Sequence, residues 1–351
     1  MKFRLIALII ALALLAGCFP ATPATEPAAT SALAAQTSAS PAATAAAVTA
    51  QPLIPVTLAM GYIPSVQFAP FYVAQEKGYF EDVGLDVEFN YGLESDLIKL
   101  VGTNEVPFMI GSGDQVILGR SQGLPVRYMT RWYRAFPVVL FAKAGSGIQS
   151  PKDLEGRKVG VPGLFGASYV GWQAMVYASG IDANKVTLQS VGFTQAASVT
   201  QGLVDAAMDY VVNGPVQLRL AGQEVVEFPV SDYIDLPSNG IITNDTVIRE
   251  RPELAQAMAS AFMRGLRDTL NDPDAAFRTS LAAVPGTGGD QEQVSRAIFD
   301  ASLKLWQASE EVLGVSDPAS WEKSALFMKE MGLIQTPVVA EDLYTNQFVE
   351  R

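Results

Sequence analysis

From Val56 onward the chain beats between two periods. Val56, Leu58 and Met60 alternate with Thr57 and Ala59 as in a strand. After a loop over 61–69, the run Pro70-Phe71-Tyr72-Val73-Ala74-Gln75-Glu76-Lys77-Gly78 reads as a short helix, with proline in its first turn and glycine just past its end. Leu85, Val87 and Phe89 alternate with Asp86 and Glu88 to give the next strand. The beat continues through a helix over 95–103, a strand over 107–110, a helix opening in Ser112-Gly113-Asp114-Gln115-Val116 and a strand over 127–132. A second unit opens at Ser150-Pro151-Lys152-Asp153-Leu154-Glu155-Gly156. Its strands fall over 158–161, 186–191 and 206–211, and its helices over 167–178, stopped by Gly180, and near 195–202. Such alternation specifies mainly parallel sheets flanked by helices, and ligands bind such sheets beyond the carboxyl ends of the strands. After Asn239-Gly240 the character changes. Leu254, Met258, Phe262 and Leu266 recur at helical spacing behind Pro252, and the remainder to Arg351 reads as almost wholly helical, a tail that packs back on the first unit.

With 351 residues, 49% of them hydrophobic, the chain can bury a core large enough for two domains or lobes. The formal net charge of -12 argues against a polyanionic partner such as nucleic acid. A single cysteine allows no internal disulfide. The sequence contains no histidine, which removes Ser-His and Cys-His nucleophile pairs, histidine metal ligands and histidine acid–base catalysis. At the N-terminus, Met-Lys-Phe-Arg and an apolar run over 5–16 form the charged and hydrophobic regions of a secretory signal, too short for a span of about 20 residues. Leu15-Ala16-Gly17-Cys18 closes it and resembles the lipobox of bacterial lipoproteins, so that cleavage after residue 17 would leave Cys18 lipidated. The following stretch, over 18–54, is dominated by Ala, Thr, Pro and Ser and reads as an unfolded tether between membrane and domain.

The turn Gly160-Val-Pro-Gly-Leu-Phe-Gly-Ala-Ser-Tyr169 runs from an apolar strand into a helix, where the N–H groups of Gly166, Ala167 and Ser168 can meet an acceptor. It lacks the Gly-Lys-Ser/Thr of a phosphate loop and the G-x-G-x-x-G spacing of a dinucleotide site. Nor is it a nucleophile elbow, since nothing could activate Ser168. One wall of a small-molecule cleft remains. Aromatic residues gather at the other strand ends: Phe68 and Phe71, then Trp132 and Tyr133, with Phe165 and Tyr169 beside the glycine turn. Phe71, inside a helical pattern, is assigned to the core. The others would stack on a planar heterocycle, each aromatic pair adding about 0.5–1.5 kcal/mol beyond burial. Gln67, Ser112, Asp114, Gln115, Asp209 and Asn213 fall in similar places and could read a ring edge, while Asp114 and Asp209 serve equally well as helix caps or solvated carboxylates. Arg131 and Arg134 keep an anionic ligand open.

The run GYIPSVQFAPFYVAQEKGYFEDVGLDVEF, with GSGDQVILGRSQGLPV and SPKDLEGRKVGVPG, resembles the periplasmic binding proteins of ABC importers in the group that binds thiamine pyrimidines, nitrate, taurine and alkanesulfonates. The resemblance covers about 56–270. It implies a type II periplasmic-binding-protein fold, with two α/β lobes joined by two crossover strands and a helical C-terminal part. Lobe 1 would take 55–141 and 243–351, lobe 2 would take 142–242, and the crossovers would lie at Phe141-Ala142-Lys143 and Gly240-Ile241-Ile242. Within the group, VGVPGLFGASYVGW, DYVVNGPVQL and SDYIDLPSNGIITN are most similar to riboflavin-binding lipoproteins. The implied protein is a monomer without cofactor or catalysis, lipid-anchored on the outer, periplasmic or extracellular face. It would clamp a small molecule between hinged lobes and deliver it to a permease and its ATPase. The implied ligand is riboflavin, with a thiamine-precursor pyrimidine as the nearest rival and a sulfonate or nitrate behind it. A sensory or structural lipoprotein of this fold is a further alternative. Pyrimidine synthases that resemble the group consume an active-site histidine, which this chain does not have.

Overall fold

A computed structural model describes residues 52–349 apart from 308, 310 and 311. The leader, Cys18 and the tether up to residue 51 lie outside the described residues. The first part of the chain lays down β1 (Ile54–Met60), α1 (Ala69–Glu76), α2 (Tyr79–Asp82), β2 (Leu85–Tyr91), α3 (Glu94–Gly102), β3 (Phe108–Ser112), α4 (Gly113–Ser121) and β4 (Val126–Arg131). The second part follows with β5 (Val138–Lys143), β6 (Lys158–Val161), α5 (Gly166–Ser179), β7 (Thr187–Ser190), α6 (Gln195–Thr200), β8 (Ala206–Tyr210), α7 (Gly214–Leu220) and β9 (Val225–Pro229). The chain then returns through β10 (Asn239–Asn244) and ends in α8 (Asp245–Glu250), α9 (Pro252–Asn271), α10 (Pro273–Ala283), α11 (Glu292–Trp306) and α12 (Pro318–Glu330).

Two five-stranded sheets result, in the orders β2-β1-β3-β10-β4 and β7-β6-β8-β5-β9. The orders are equivalent. In each sheet the fourth strand runs antiparallel to both its neighbours and comes from the far side of the chain: β10 pairs with β3 and β4, and β5 with β8 and β9. Burial follows position. The central β3 and β10 are buried at every residue, whereas the edge strand β2 alternates buried Leu85 and Val87 with exposed Asp86 and Glu88.

The chain leaves the first sheet after Arg131 and returns to it at Asn239, so the connecting segments are 132–137 and 230–238. Phe141–Lys143 and Gly240–Ile242, expected to be the crossovers, instead lie inside β5 and β10. Each of those strands is hydrogen-bonded on both edges within one sheet, which leaves no backbone groups for the other. The helical tail also departs from expectation. Its α9 does pack on the first unit, where Phe262 stacks on Phe71 at 4.6 Å between centroids and Gly265 lets the Pro70 carbonyl approach. But α12 reaches the second unit too: Phe327 meets Tyr177 of α5 at 5.4 Å, and the Tyr177 hydroxyl donates to Glu330 at 2.5 Å. The buried face of α12, with Trp321, Phe327 and Met328, belongs to a core that joins strands of both sheets.

Candidate ligand-binding site

The parallel strands of both sheets point their carboxyl ends at one cleft of about 870 Å³, counting its open mouth. That position is the one at which small molecules bind sheets of this kind. From the first sheet come Tyr62 after β1, Gln67 and Phe68 in the next turn, Glu94 opening α3, Trp132 and Tyr133 after β4, and Asn239 at the start of antiparallel β10. From the second come Phe165 before α5 and Gly166 to Ser168 in its first turn, Phe193 after β7, Asp209 and Tyr210 at the end of β8, and Asn213 before α7.

Of the residues expected in the site, Gln67, Phe68, Trp132, Tyr133, Phe165, Gly166, Ala167, Ser168, Asp209 and Asn213 line the cleft; Ser112, Asp114, Gln115 and Tyr169 do not. Ser112 caps α4 with its backbone and turns its hydroxyl to Glu94, at 2.6 Å. Gln115 donates to Asp114 at 2.7 Å, so all three form a buried polar layer behind the wall. Tyr169 sits one residue beyond Ser168 on α5, and the turn of about 100° per residue carries it from the cleft to the flank of the core. Arg131 and Arg134 are not in the lining either: Arg131 Nη2 donates to the Val312 carbonyl at 3.0 Å, and Arg134 is exposed.

The aromatic groups fall into two sets. Trp132 is 3% exposed and enclosed by rings: it lies near-parallel to Phe68 at 5.5 Å and to Trp306 at 6.0 Å, and meets Phe71 and Tyr133 at 5.3 and 4.4 Å. Four neighbours therefore cover the indole expected to stack on a ligand. Its Nε1 is buried with no hydrogen-bond partner in the protein. The open faces are at the mouth, on Phe165 and Phe193, 53% and 55% exposed. Phe193 meets Tyr62 edge-on at 5.4 Å, one ring from each sheet's loops.

Polar groups also span the cleft. Gln67 Nε2 donates to Asn213 Oδ1 at 2.9 Å, and the Tyr210 hydroxyl donates to Asn239 Oδ1 at 3.2 Å. The first turn of α5 has no side-chain cap, so its backbone donors stay available at the wall. Two carboxyls line the cleft, one from each sheet. Glu94 accepts from the Ser112 N–H and hydroxyl and from Asn239, yet burial, with the Asp114 carboxyl behind it, pushes it up to about 8. Asp209 accepts from the backbone N–H groups of Tyr210 and Gly214, and burial nonetheless raises it to about 7. Gly61 makes room for this arrangement, since a Cβ there would lie 2.5 Å from Glu94 Cγ.

Tyr62, Glu94, Phe193, Tyr210 and Asn239 line the cleft and were not among the residues expected there. Tyr62, Glu94 and Phe193 each follow a parallel strand by two or three residues, so the strand-end rule applied to every loop finds them. Asn239 stands at the amino end of an antiparallel strand, which that rule passes over.

A cleft closed by the strand ends of two equivalent α/β sheets defines a periplasmic-binding-protein fold. The periplasmic aliphatic sulphonate binding protein SsuA of Escherichia coli shares it with a TM-score of 0.64 at 12% identity, over 85% of this chain and 94% of that one. The chain belongs to the NMT1/THI5-like family, whose model matches residues 65–276. It is 39% identical to the riboflavin-binding protein RibY of Chloroflexus aurantiacus over 99% of this chain and 98% of that protein. It is 28% identical to the formylaminopyrimidine-binding protein of Halalkalibacterium halodurans, over 83% of this chain and 89% of that protein. The 4-amino-5-hydroxymethyl-2-methylpyrimidine phosphate synthase of Legionella pneumophila is 23% identical, over 84% and 92%.

Proposed function

We propose that this chain is the substrate-binding subunit of an ABC importer and that its ligand is riboflavin. The observation that carries the reading is the cleft itself, which offers open ring faces at its mouth and neutral donors and acceptors within. Phe165, Phe193 and Tyr62 flank the planar ring. Gln67, Asn213, Asn239 and Tyr210 meet its edge, where amides and a phenol supply both donors and acceptors. The α5 N–H groups of Gly166 to Ser168 and the indole N–H of Trp132 take ring carbonyls or ribityl hydroxyls. The 39% identity to a riboflavin-binding protein along nearly the whole chain supports the same ligand. The lobes hinge at 132–137 and 230–238, and contacts made from both sides favour the closed form. A lipid on Cys18 and the tether hold the protein, a monomer, at the outer face of the membrane beside its permease and ATPase. The ligand leaves unaltered, and a chain without histidine needs no other chemistry.

Titration of the purified protein with riboflavin, followed by quenching of flavin fluorescence, is expected to give one-to-one binding. Calorimetry with formylaminopyrimidine and hydroxymethylpyrimidine runs beside it. Heat from a pyrimidine with no flavin quenching would move the protein to thiamine-precursor uptake.

A further inference from the structure

We infer that the cleft selects the uncharged form of its ligand over that ligand's phosphate ester, capturing riboflavin and refusing flavin mononucleotide. The inference rests on the flavin reading above and specifies which flavin the same site takes. Among the described residues no lysine or arginine lines the cleft. Of the two cations expected near it, Arg131 donates its Nη2 to the Val312 carbonyl and Arg134 is exposed outside the lining. A carboxyl instead stands on each side, Glu94 from the first sheet and Asp209 from the second. A phosphate monoester carries about -1.5 to -2 charges at neutral pH. Enclosing that charge without a cation strips its water and returns only neutral donors, and any ionised fraction of Asp209 or Glu94 repels it.

One feature pulls the other way. The uncapped first turn of α5 is the kind of helix end that can hold a phosphate. Its donors serve a ring carbonyl or a hydroxyl equally well, and the two carboxyls share the cleft with it. The balance favours a neutral acceptor at that helix end. A place in a reaction sequence follows: flavin phosphate outside the cell must lose its phosphate by ester hydrolysis before this protein can capture it.

The test compares riboflavin, flavin mononucleotide and riboflavin 5′-acetate by fluorescence quenching with the intact protein at pH 7.5 and moderate salt. Flavin mononucleotide is expected to bind at least a hundredfold more weakly than riboflavin, with the neutral acetate within about tenfold of it. Leu93 is an exposed residue of the cleft lining, so Leu93→Lys, which sets a cation there, is expected to narrow the riboflavin-to-phosphate ratio at least tenfold. Equal binding of riboflavin and its phosphate would overturn the inference and give the α5 end to the phosphate. Refusal of the acetate along with the phosphate would overturn it in favour of exclusion by shape. Binding of none of the three would overturn the flavin reading, and this inference with it.

Discussion

Glu94→Gln tests whether the carboxyl behind Gly61 is held protonated by its surroundings. The substitution keeps an acceptor for the Ser112 N–H and hydroxyl, sets an amide NH2 against Asn239 Nδ2 in place of the other oxygen, and removes the capacity to ionise. Burial raises Glu94 from its ordinary 4.5 to about 8, so between those values the folded protein holds a proton that the unfolded chain has released. Wild-type stability therefore falls as pH rises through that window, and it is fully lost to this group only above about 8. At 1.36 kcal/mol per pH unit, the ceiling is about 5 kcal/mol. Asp114 shares the pair and is itself raised by burial; in the variant it titrates without the Glu94 charge, which brings the expected difference down to about 2–4 kcal/mol. Urea unfolding of both proteins at pH 5 and pH 8.5 measures it, since every other group titrates in both. A constant offset from the Asn239 contact cancels between the two pH values. If the stability difference between variant and wild type moves by less than about 0.5 kcal/mol across that range, Glu94 is ionised in the fold and the reasoning fails.

Trp132→Phe should keep the aromatic stack and remove the indole donor, weakening the ligand about fivefold to thirtyfold with little loss of stability, whereas Trp132→Ala should cost about 3–5 kcal/mol by opening a cavity between Phe68 and Trp306; paired ligand titrations and urea melts separate the two. Phe165→Ala should weaken binding about tenfold and leave the melting temperature unchanged, while Tyr169→Ala should leave affinity unchanged, and the reverse pattern in a titration would put Tyr169 back in the cleft. Gly265→Ala places a methyl 2.1 Å from the Pro70 carbonyl oxygen. The helix-propensity gain of about 1 kcal/mol is outweighed by forcing α9 off α1, so thermal unfolding should show a net loss of about 2 kcal/mol or more.

The sheets were legible because strand and helix periods differ and each parallel strand carries its own apolar alternation, as Val56-Leu58-Met60 and Leu85-Val87-Phe89 do. Side-chain direction at the strand ends was less so. Ser112, Asp114 and Gln115 open α4 at a strand's carboxyl end, and in sequence such residues look alike whether they face a ligand or pack behind the wall. The structure turns Ser112 to Glu94 and pairs Gln115 with Asp114, and Glu94 in the chain is one acid among Asp86, Glu88 and Asp96. Nothing local marks it as enclosed; Gly61 just past β1, Ser112 at the end of β3 and Asn239 at the start of β10 close around it. The cover on Trp132 is equally non-local: the residue lines the cleft, but Trp306, from the far end of the chain, lies against its ring.

The hydrogen bond from Gln67 to Asn213 ties a turn of the first sheet to one of the second at the floor of the cleft. The pair satisfies one group on each amide before any ligand arrives. Two loops that belong to different sheets are therefore already registered against each other at the cleft, and a ligand edge that meets either amide meets a side chain whose position the other sheet helps to fix.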